Sequence, residues 1–417
     1  MIYPRVFLNK NEEKEIQQGF PWVFNNEISY IKHRKTEKEE WKHESLSECT
    51  VEDGSPVEVY SKAGGFLGTG ILNKKSKITV RIFAQENAAN VYEDIDAFWE
   101  HRVGEAAGLR HAYFEEGDSY RLIFAEADLI PGFICERFCT ENKKVILVVQ
   151  FLSLSCEVFR EPLLAALKKI CKPDGIYERS DAPVREKEGL PMVSGWLGSK
   201  HESKITIVEN GIKLSVDIAD GQKTGYFLDQ KFNRVAAASF CKGRRVLDTF
   251  THTGAFGLNA VKGGAKEVIS ADISEEAVAM VNRNIELNKA GKVMSAVCAD
   301  VFDLLKKYEA ENQKFDVIIL DPPAFTKSAK MIEKAYGGYK EINLRAMRLL
   351  NKGGILVTCS CSHFMESQMF CDMIMHAAMD SHRRVQILEK RGAGPDHPVL
   401  LGYPKSEYLK CVICKVL

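Results

Sequence analysis

Two apolar runs in this chain end in residues able to do chemistry. Val317-Ile318-Ile319-Leu320 leads into Asp321-Pro322-Pro323-Ala324-Phe325, and Ile355-Leu356-Val357-Thr358 leads into Cys359-Ser360-Cys361-Ser362. If the runs are neighbouring parallel strands, both motifs stop at the carboxyl edge of one sheet, where open α/β sheets bind their ligands. A carboxylate and a thiol then share one crevice. Facing a planar ring, they suit methylation of a pyrimidine carbon. Carbon 5 of cytosine is a poor nucleophile toward a sulfonium methyl, so a thiolate must first add at carbon 6 and build electron density at carbon 5. A base must then remove the carbon 5 proton, and a carboxyl group near the ring nitrogen can stabilise the adduct.

Cys359 and Cys361 are two apart and point to the same side of an extended chain, so spacing does not choose between them. Cys361 lies further beyond the strand. The Asp-Pro-Pro-x-Phe loop has a second meaning, because amino-directed methyltransferases hold an exocyclic amino group with such a loop and stack an aromatic ring on the flipped base. Methylation of an adenine or guanine amino group, which needs no cysteine, is therefore the alternative activity. Phe325 is the stacking ring in either case. A protein whose sheet has lost activity and only binds RNA is a third reading, against which the acidic strand ends speak. Cys411-Val412-Ile413-Cys414 reads as core: its spacing puts the thiols on opposite faces of a strand, and no second pair completes a zinc site, so no metal is expected. His252 and Asp396-His397 can approach the crevice from loops and are assigned no catalytic role.

The elements that must hold these residues follow the pattern of a doubly wound parallel sheet. A strand pair over residues 205–208 and 213–217 leads to the segment from Gly221 to Gln230, after which strand and helix alternate. Strands are expected over 245–248, 268–272, 296–300, 317–321, 355–358, 385–389 and 408–416. A helix from Ser274 to Asn288 puts Val278, Val281 and Ile285 on one face; Ser274 can cap it, and Glu275 and Glu276 favour its first turn.

Four strands in this pattern end in Asp248, Asp272, Asp300 and Asp321. A sheet edge lined with acceptors suits a ligand rich in hydroxyl and amino donors and carrying positive charge. The turn from Asp248 to Gly257 lacks the full G-x-G-x-x-G spacing that a pyrophosphate needs. S-adenosylmethionine is therefore expected as cofactor in preference to a nicotinamide dinucleotide. Asp272 would accept both ribose hydroxyls, Asp300 would face the adenine amino group, and Asp248 the methionine end. Phe250, Gly254, Ile273 and Asp321 complete the candidate cofactor set from these strand ends.

At 417 residues the chain is long for one core, and two or three domains are expected. Hydrophobic residues at 45% and charged residues at 27% exclude disordered and fibrous classes. No apolar run is long enough to span a bilayer, and Met1-Ile2-Tyr3-Pro4-Arg5 lacks a secretory pattern, so a cytoplasmic location and reduced cysteines are expected. Lys plus Arg equals Asp plus Glu, so any RNA surface must be a local patch. Lys74, Lys75, Lys77 and Arg81 form one candidate patch; Lys32, Arg34 and Lys35 form another. Up to about Glu86, short strands (5–8, 56–60, 66–72, 78–83) suggest a small β-barrel, interrupted by a charge-dense insertion over 31–50 read as an exposed loop or frayed helix. Residues 91–206 mix helices (95–108, 157–170) with strands (120–124, 145–151).

Taken together, Pro21-Trp22-Val23-Phe24, Ala125 to Gly132, Gly221 to Gln230, Thr253-Gly254-Ala255-Phe256, Asp321 to Phe325, Gly338-Tyr339-Lys340 and Cys359 to Ser362 resemble the bacterial 23S ribosomal RNA cytosine-5 methyltransferases with an N-terminal PUA domain. The resemblance spans nearly the whole chain. It implies a multidomain α/β protein with a PUA β-barrel over 1–90, a central α+β domain over 91–206 and a Rossmann-like methyltransferase domain over 207–417. It also implies RNA binding by the barrel, 23S ribosomal RNA as substrate and a homodimer. The family's nucleophile lies in a Ser-Cys-Ser segment matching Ser360-Cys361-Ser362, which favours Cys361, and Thr224 and Gln230 fall in the segment that closes over the cofactor.

Overall fold

The computed structural model describes residues 2–221, 225–326 and 328–417. These divide into one unit of Met1–Ser203, Ile218–Thr224 and Pro395–Ser406, and another of Lys204–Asp217, Gly225–Gly394 and Glu407–Leu417.

In the first unit, alternation along short strands builds a seven-stranded sheet. Its order is Trp22–Phe24, Ile78–Ala84, Phe66–Leu72, Pro56–Tyr60, Arg5–Leu8, Ile28–His33 and Lys42–Glu44. Val6, Leu8, Val23, Ile31, Val57 and Val80 fill its core. The outward face is aromatic and basic. Phe7 stacks on Tyr30 at 4.7 Å and on Tyr60 at 5.3 Å, and Tyr30 stacks on His43 at 5.3 Å. Arg5, Arg34 and Lys32 lie 4.9, 4.7 and 5.2 Å from the centre of the Trp41 ring.

Two expectations are corrected here. The stretch 31–50 is not one loop or helix: Ile28–His33 pairs with Arg5–Leu8, and Lys42–Glu44 forms the sheet edge. Most of its charged residues are exposed while Ile31 is buried, a pattern that the run Glu37-Lys38-Glu39-Glu40 conceals. Of the patch Lys74, Lys75, Lys77 and Arg81, the second and third are exposed, but Lys74 and Arg81 are turned inward. Lys74 Nζ donates to the carbonyls of Cys49 and Val51 at 2.9 and 2.6 Å, and buried Arg81 pairs with Glu126 at 2.9 Å and Glu188 at 3.0 Å.

A five-stranded sheet, ordered Val193–Trp196, Gly175–Ser180, Val145–Phe151, Phe133–Cys139 and Tyr120–Phe124, completes this unit with helices Ile95–His111 and Arg160–Cys171 packed on each other. Pro395–Ser406 is stitched into it. Arg110 donates to the Asp396 carbonyl at 2.8 Å, the Arg121 amide donates to the Asp396 carboxylate at 2.9 Å, and Tyr403 packs 5.0 Å from Trp22. His397 Nδ1 sits 3.0 Å from Asp396, both buried, so the Asp-His pair is a structural anchor of this unit.

In the second unit, strands β1 (Arg245–Thr249), β2 (Glu267–Asp272), β3 (Met294–Cys298), β4 (Phe315–Leu320), β5 (Leu350–Ser360), β6 (Val385–Arg391) and β7 (Lys410–Val416) form one sheet in the order β3-β2-β1-β4-β5-β7-β6. The first five are parallel; β7 runs antiparallel to β5 and β6. The helices are α1 (Lys231–Ala238), α2 (Ala255–Lys262), α3 (Glu275–Leu287), α4 (Val301–Ala310), α5 (Ile332–Leu349) and α6 (Ser367–Asp380). Tyr339, Ile342 and Met347 of α5 and Phe370 and Met373 of α6 close over Ile318, Leu320 and Leu356. The strand order reverses between β1 and β4, which opens a crevice at their carboxyl ends. No disulfide joins any of the twelve cysteines. Among the described residues no helix is long and apolar enough to cross a membrane.

Candidate active site

On one side of the switch point, the penultimate residue of β1 is the fully buried Asp248. One of its oxygens accepts hydrogen bonds from the Thr251 hydroxyl, the Gly257 amide at 3.0 Å and the Ser270 hydroxyl at 3.0 Å, while the other has no hydrogen-bond partner. Burial pushes its carboxyl up to about 6, against these bonds. The turn that follows is wound tightly: Phe250, His252 and Gly254 have φ of +56°, +52° and +79°. A left-handed conformation costs a non-glycine residue about 1 kcal/mol or more and clusters at functional sites. Gly257, in the first turn of α2, admits no side chain, since a Cβ there would stand 2.5 Å from Ser270 Oγ.

Asp272, the last residue of β2, is partly exposed. Its two oxygens accept from the His252 amide at 2.9 Å and the Ser274 amide at 3.1 Å, so the carboxylate is fixed with lone pairs to spare. Beside it Ile273 is 66% exposed, an apolar surface with no core to fill. Asp300 differs from expectation. Strand β3 stops at Cys298, and Asp300 instead caps α4, accepting from the Phe302 amide at 2.8 Å and the Asp303 amide at 3.3 Å. The orphan amides of a helix start outcompete continuation of the strand. These residues fit S-adenosylmethionine: a rigid carboxylate for vicinal hydroxyls, an exposed aliphatic side chain for a flat ring, and a buried carboxyl oxygen in want of a donor.

Across the switch point, Asp321 follows β4 and accepts from Gln230 Nε2 at 2.9 Å. Burial first, and then the negative charge of Asp229, raise its carboxyl to about 7. Gln230 is itself buried and aimed by Asn233, which donates to Gln230 Oε1 at 2.7 Å. Asp229 accepts from the Tyr408 hydroxyl. Thr224 lies outside the described residues.

The two cysteines around the end of β5 part company. Cys359 is fully buried opposite Cys411, and a hydrogen bond with that thiol, followed by burial, holds it well above the ordinary range. Cys361 is partly exposed one residue past the strand. Tyr339 of α5 sits between the two motifs: its ring is 4.6 Å from Phe325 and its hydroxyl accepts from Ser360 Oγ at 3.1 Å; burial raises its phenol against that bond, and the charges of Cys361 and then Asp321 push it the same way as burial. Cys411 and Cys414 are buried in β7.

Asp229, Asn233 and Tyr339 escaped assignment from sequence, although Asp229 and Tyr339 stand inside motifs quoted there. Their signal is faint, a polar residue on a face that folding turns inward.

A parallel sheet with an antiparallel seventh strand, acidic ends on β1 and β2, and a carboxyl-edge crevice at the β1/β4 switch define a class I methyltransferase fold. Comparison with known proteins agrees. A family model described as S-adenosylmethionine-dependent methyltransferase matches residues 188–402, and a PUA-like domain model matches residues 6–85. Ribosomal RNA large subunit methyltransferase I of Photobacterium profundum is 40% identical over 99% of both chains, and that of Aliivibrio fischeri 38% over 99% of both. Two solved methyltransferase folds, one from Streptococcus mutans and one complexed with SAH, cover all of this chain at 22% identity, with TM-scores of 0.76 and 0.78. The chain therefore belongs to the S-adenosylmethionine-dependent methyltransferase family, in the group of the ribosomal RNA large subunit methyltransferase I proteins, and its cofactor is S-adenosylmethionine.

Proposed function

We propose that this protein methylates carbon 5 of a cytosine in 23S ribosomal RNA, with Cys361 as nucleophile and Asp321 as the acid/base and orienting group. The observation that carries this reading is the contrast of thiols around the end of β5: Cys359 is locked into the core, while Cys361 stands partly exposed one residue past the strand, near Tyr339, whose phenol also feels Asp321. The bound cofactor supplies an electrophilic methyl group. Asp272, with Ile273 beside it, would hold the ribose and adenine; Asp300 would reach the amino group with the oxygen not used as a cap; Asp248, Phe250 and Gly254 would shape the methionine end. Gln230 and Thr224 belong to the closing segment.

The thiolate of Cys361 adds to carbon 6, carbon 5 takes the methyl, a base removes the carbon 5 proton, and the sulfur leaves with its electron pair. A carboxyl near 7 suits Asp321 to both halves of this sequence, donating to the ring while protonated and accepting while ionised. Phe325, propped by Tyr339, would stack on the ring. Residues 1–90 would grip RNA through the face of Phe7, Tyr30, Tyr60 and Trp41 with Arg5, Lys32 and Arg34, residues 91–206 would carry that barrel, and residues 207–417 would do the chemistry.

The test is a pair of variants assayed on ribosomal RNA. Cys361→Ala should abolish methyl transfer, and wild type but not Cys361→Ala should form a covalent complex with RNA containing 5-fluorocytosine. Full activity in Cys361→Ala, with product on an exocyclic amino group, would overturn the reading.

A further inference from the structure

Opposite the end of β5, the first residue of β7 is a lysine where an apolar strand would be expected to begin. Lys410 pairs with Ser360 in the antiparallel register, and only 6% of it is exposed. Its ammonium group reaches past its own strand to the turn that carries Cys361. Nζ donates to the Ser362 carbonyl at 2.6 Å and to the Tyr408 carbonyl at 2.7 Å. No carboxylate lies in ion-pair contact with it among the described residues. A buried, unpaired ammonium is costly unless something compensates it, and two carbonyls use two of its three donors.

We propose that Lys410 is a positioning residue that holds Cys361 as a thiolate. Fixed between the carbonyls of Ser362 and Tyr408, its ammonium is the counter-charge against which the sulfur ionises, the thiol proton leaving to solvent. This rests on Cys361 being the nucleophile, although the ionisation can be read independently of turnover. The surroundings agree. Burial lowers Lys410 to about 8, while the negative charges of Cys361 and Glu407 oppose that fall. On other sides stand Tyr339, which feels both Cys361 and Asp321, and Tyr408, packed 5.7 Å from His363. A neighbouring Lys or Arg brings a thiol from its ordinary ~8.5 down to roughly 7.5 or below.

The experiment measures alkylation of Cys361 by iodoacetamide across pH 6–10 in the full-length protein, resolved by peptide mass spectrometry because Cys298 is also exposed. In the wild type, Cys361 should titrate with a midpoint at least about one unit below ~8.5. Lys410→Met should move the midpoint up by about a unit or more, and Lys410→Arg should restore it. A wild-type midpoint at or above the ordinary value overturns the proposal even if Lys410→Met fails to fold, and so does a midpoint unmoved in a folded Lys410→Met. Retained methyl transfer in Cys361→Ala would instead overturn the nucleophile reading while leaving this titration standing, so the two failures are distinct.

Discussion

Chemistry at the crevice turns on a few side chains whose proton affinity the fold has moved. Asp321 is raised to about 7, by burial first and Asp229 second, so the folded state holds a proton that the unfolded chain releases near 4. An acid raised in this way weakens the fold as pH rises from its unfolded value through its folded one. Asp321→Asn, which mimics the protonated carboxyl, should therefore be more stable than wild type at pH 8 by roughly 1–3 kcal/mol, with the gap closing toward pH 4. Chemical denaturation at the two pH values checks this; an equal gap at both would contradict the raised carboxyl. The same substitution should cut methyl transfer at least about a hundredfold if the group acts as acid and base. Cys359→Ala should keep most activity and lose about 1–2 kcal/mol, as expected for a small buried side chain opposite Cys411. If Cys359→Ala were instead inactive and folded, the roles given to the two thiols would have to be exchanged.

The turn between β1 and α2 is the element on which cofactor binding depends. Its left-handed residues bring the His252 amide onto Asp272, and Gly257 lets Ser270 and Asp248 close beneath the helix. Gly257→Ala should destabilise the protein by about 1–3 kcal/mol through overpacking, and calorimetry should find S-adenosylmethionine affinity reduced at least about tenfold (~1.4 kcal/mol). Undiminished affinity would detach the cofactor from this turn. Much of this element was legible in the sequence, because apolar runs ending in aspartate announce parallel strands and Ser274 with Glu275 and Glu276 announces the helix after β2. The strand before Asp300, expected over 296–300, lies two residues earlier at Met294–Cys298, since an acidic residue ending a strand and one capping a helix look alike in sequence. Tyr339 and Lys410 were not legible as partners of Cys361. One lies 22 residues before it and the other 49 after, and only helix α5 and the antiparallel return of β7 bring them to that turn. Long-range placement of this kind leaves no periodic trace.

Across the whole molecule, zero net charge conceals a divided surface. Arg81 and Lys74 are consumed by internal bonds, whereas Lys32, Arg34 and exposed Lys62 stand on the aromatic face of the seven-stranded sheet. Replacing Lys32, Arg34 and Lys62 together with alanine should weaken binding to a ribosomal RNA fragment and flatten the plot of log affinity against log salt by about two. An unchanged slope would move the RNA to another face. The segment Pro395–Ser406 carries a consequence for synthesis. The ribosome releases the chain from its amino end at roughly 5–20 residues per second, so the sheets around Trp22 and Arg110 emerge long before Tyr403 and Asp396, which complete their packing. For roughly 10–40 seconds the nascent first unit must wait with that seam open. A gene cut after residue 203 would express a piece whose closing stitch was never made.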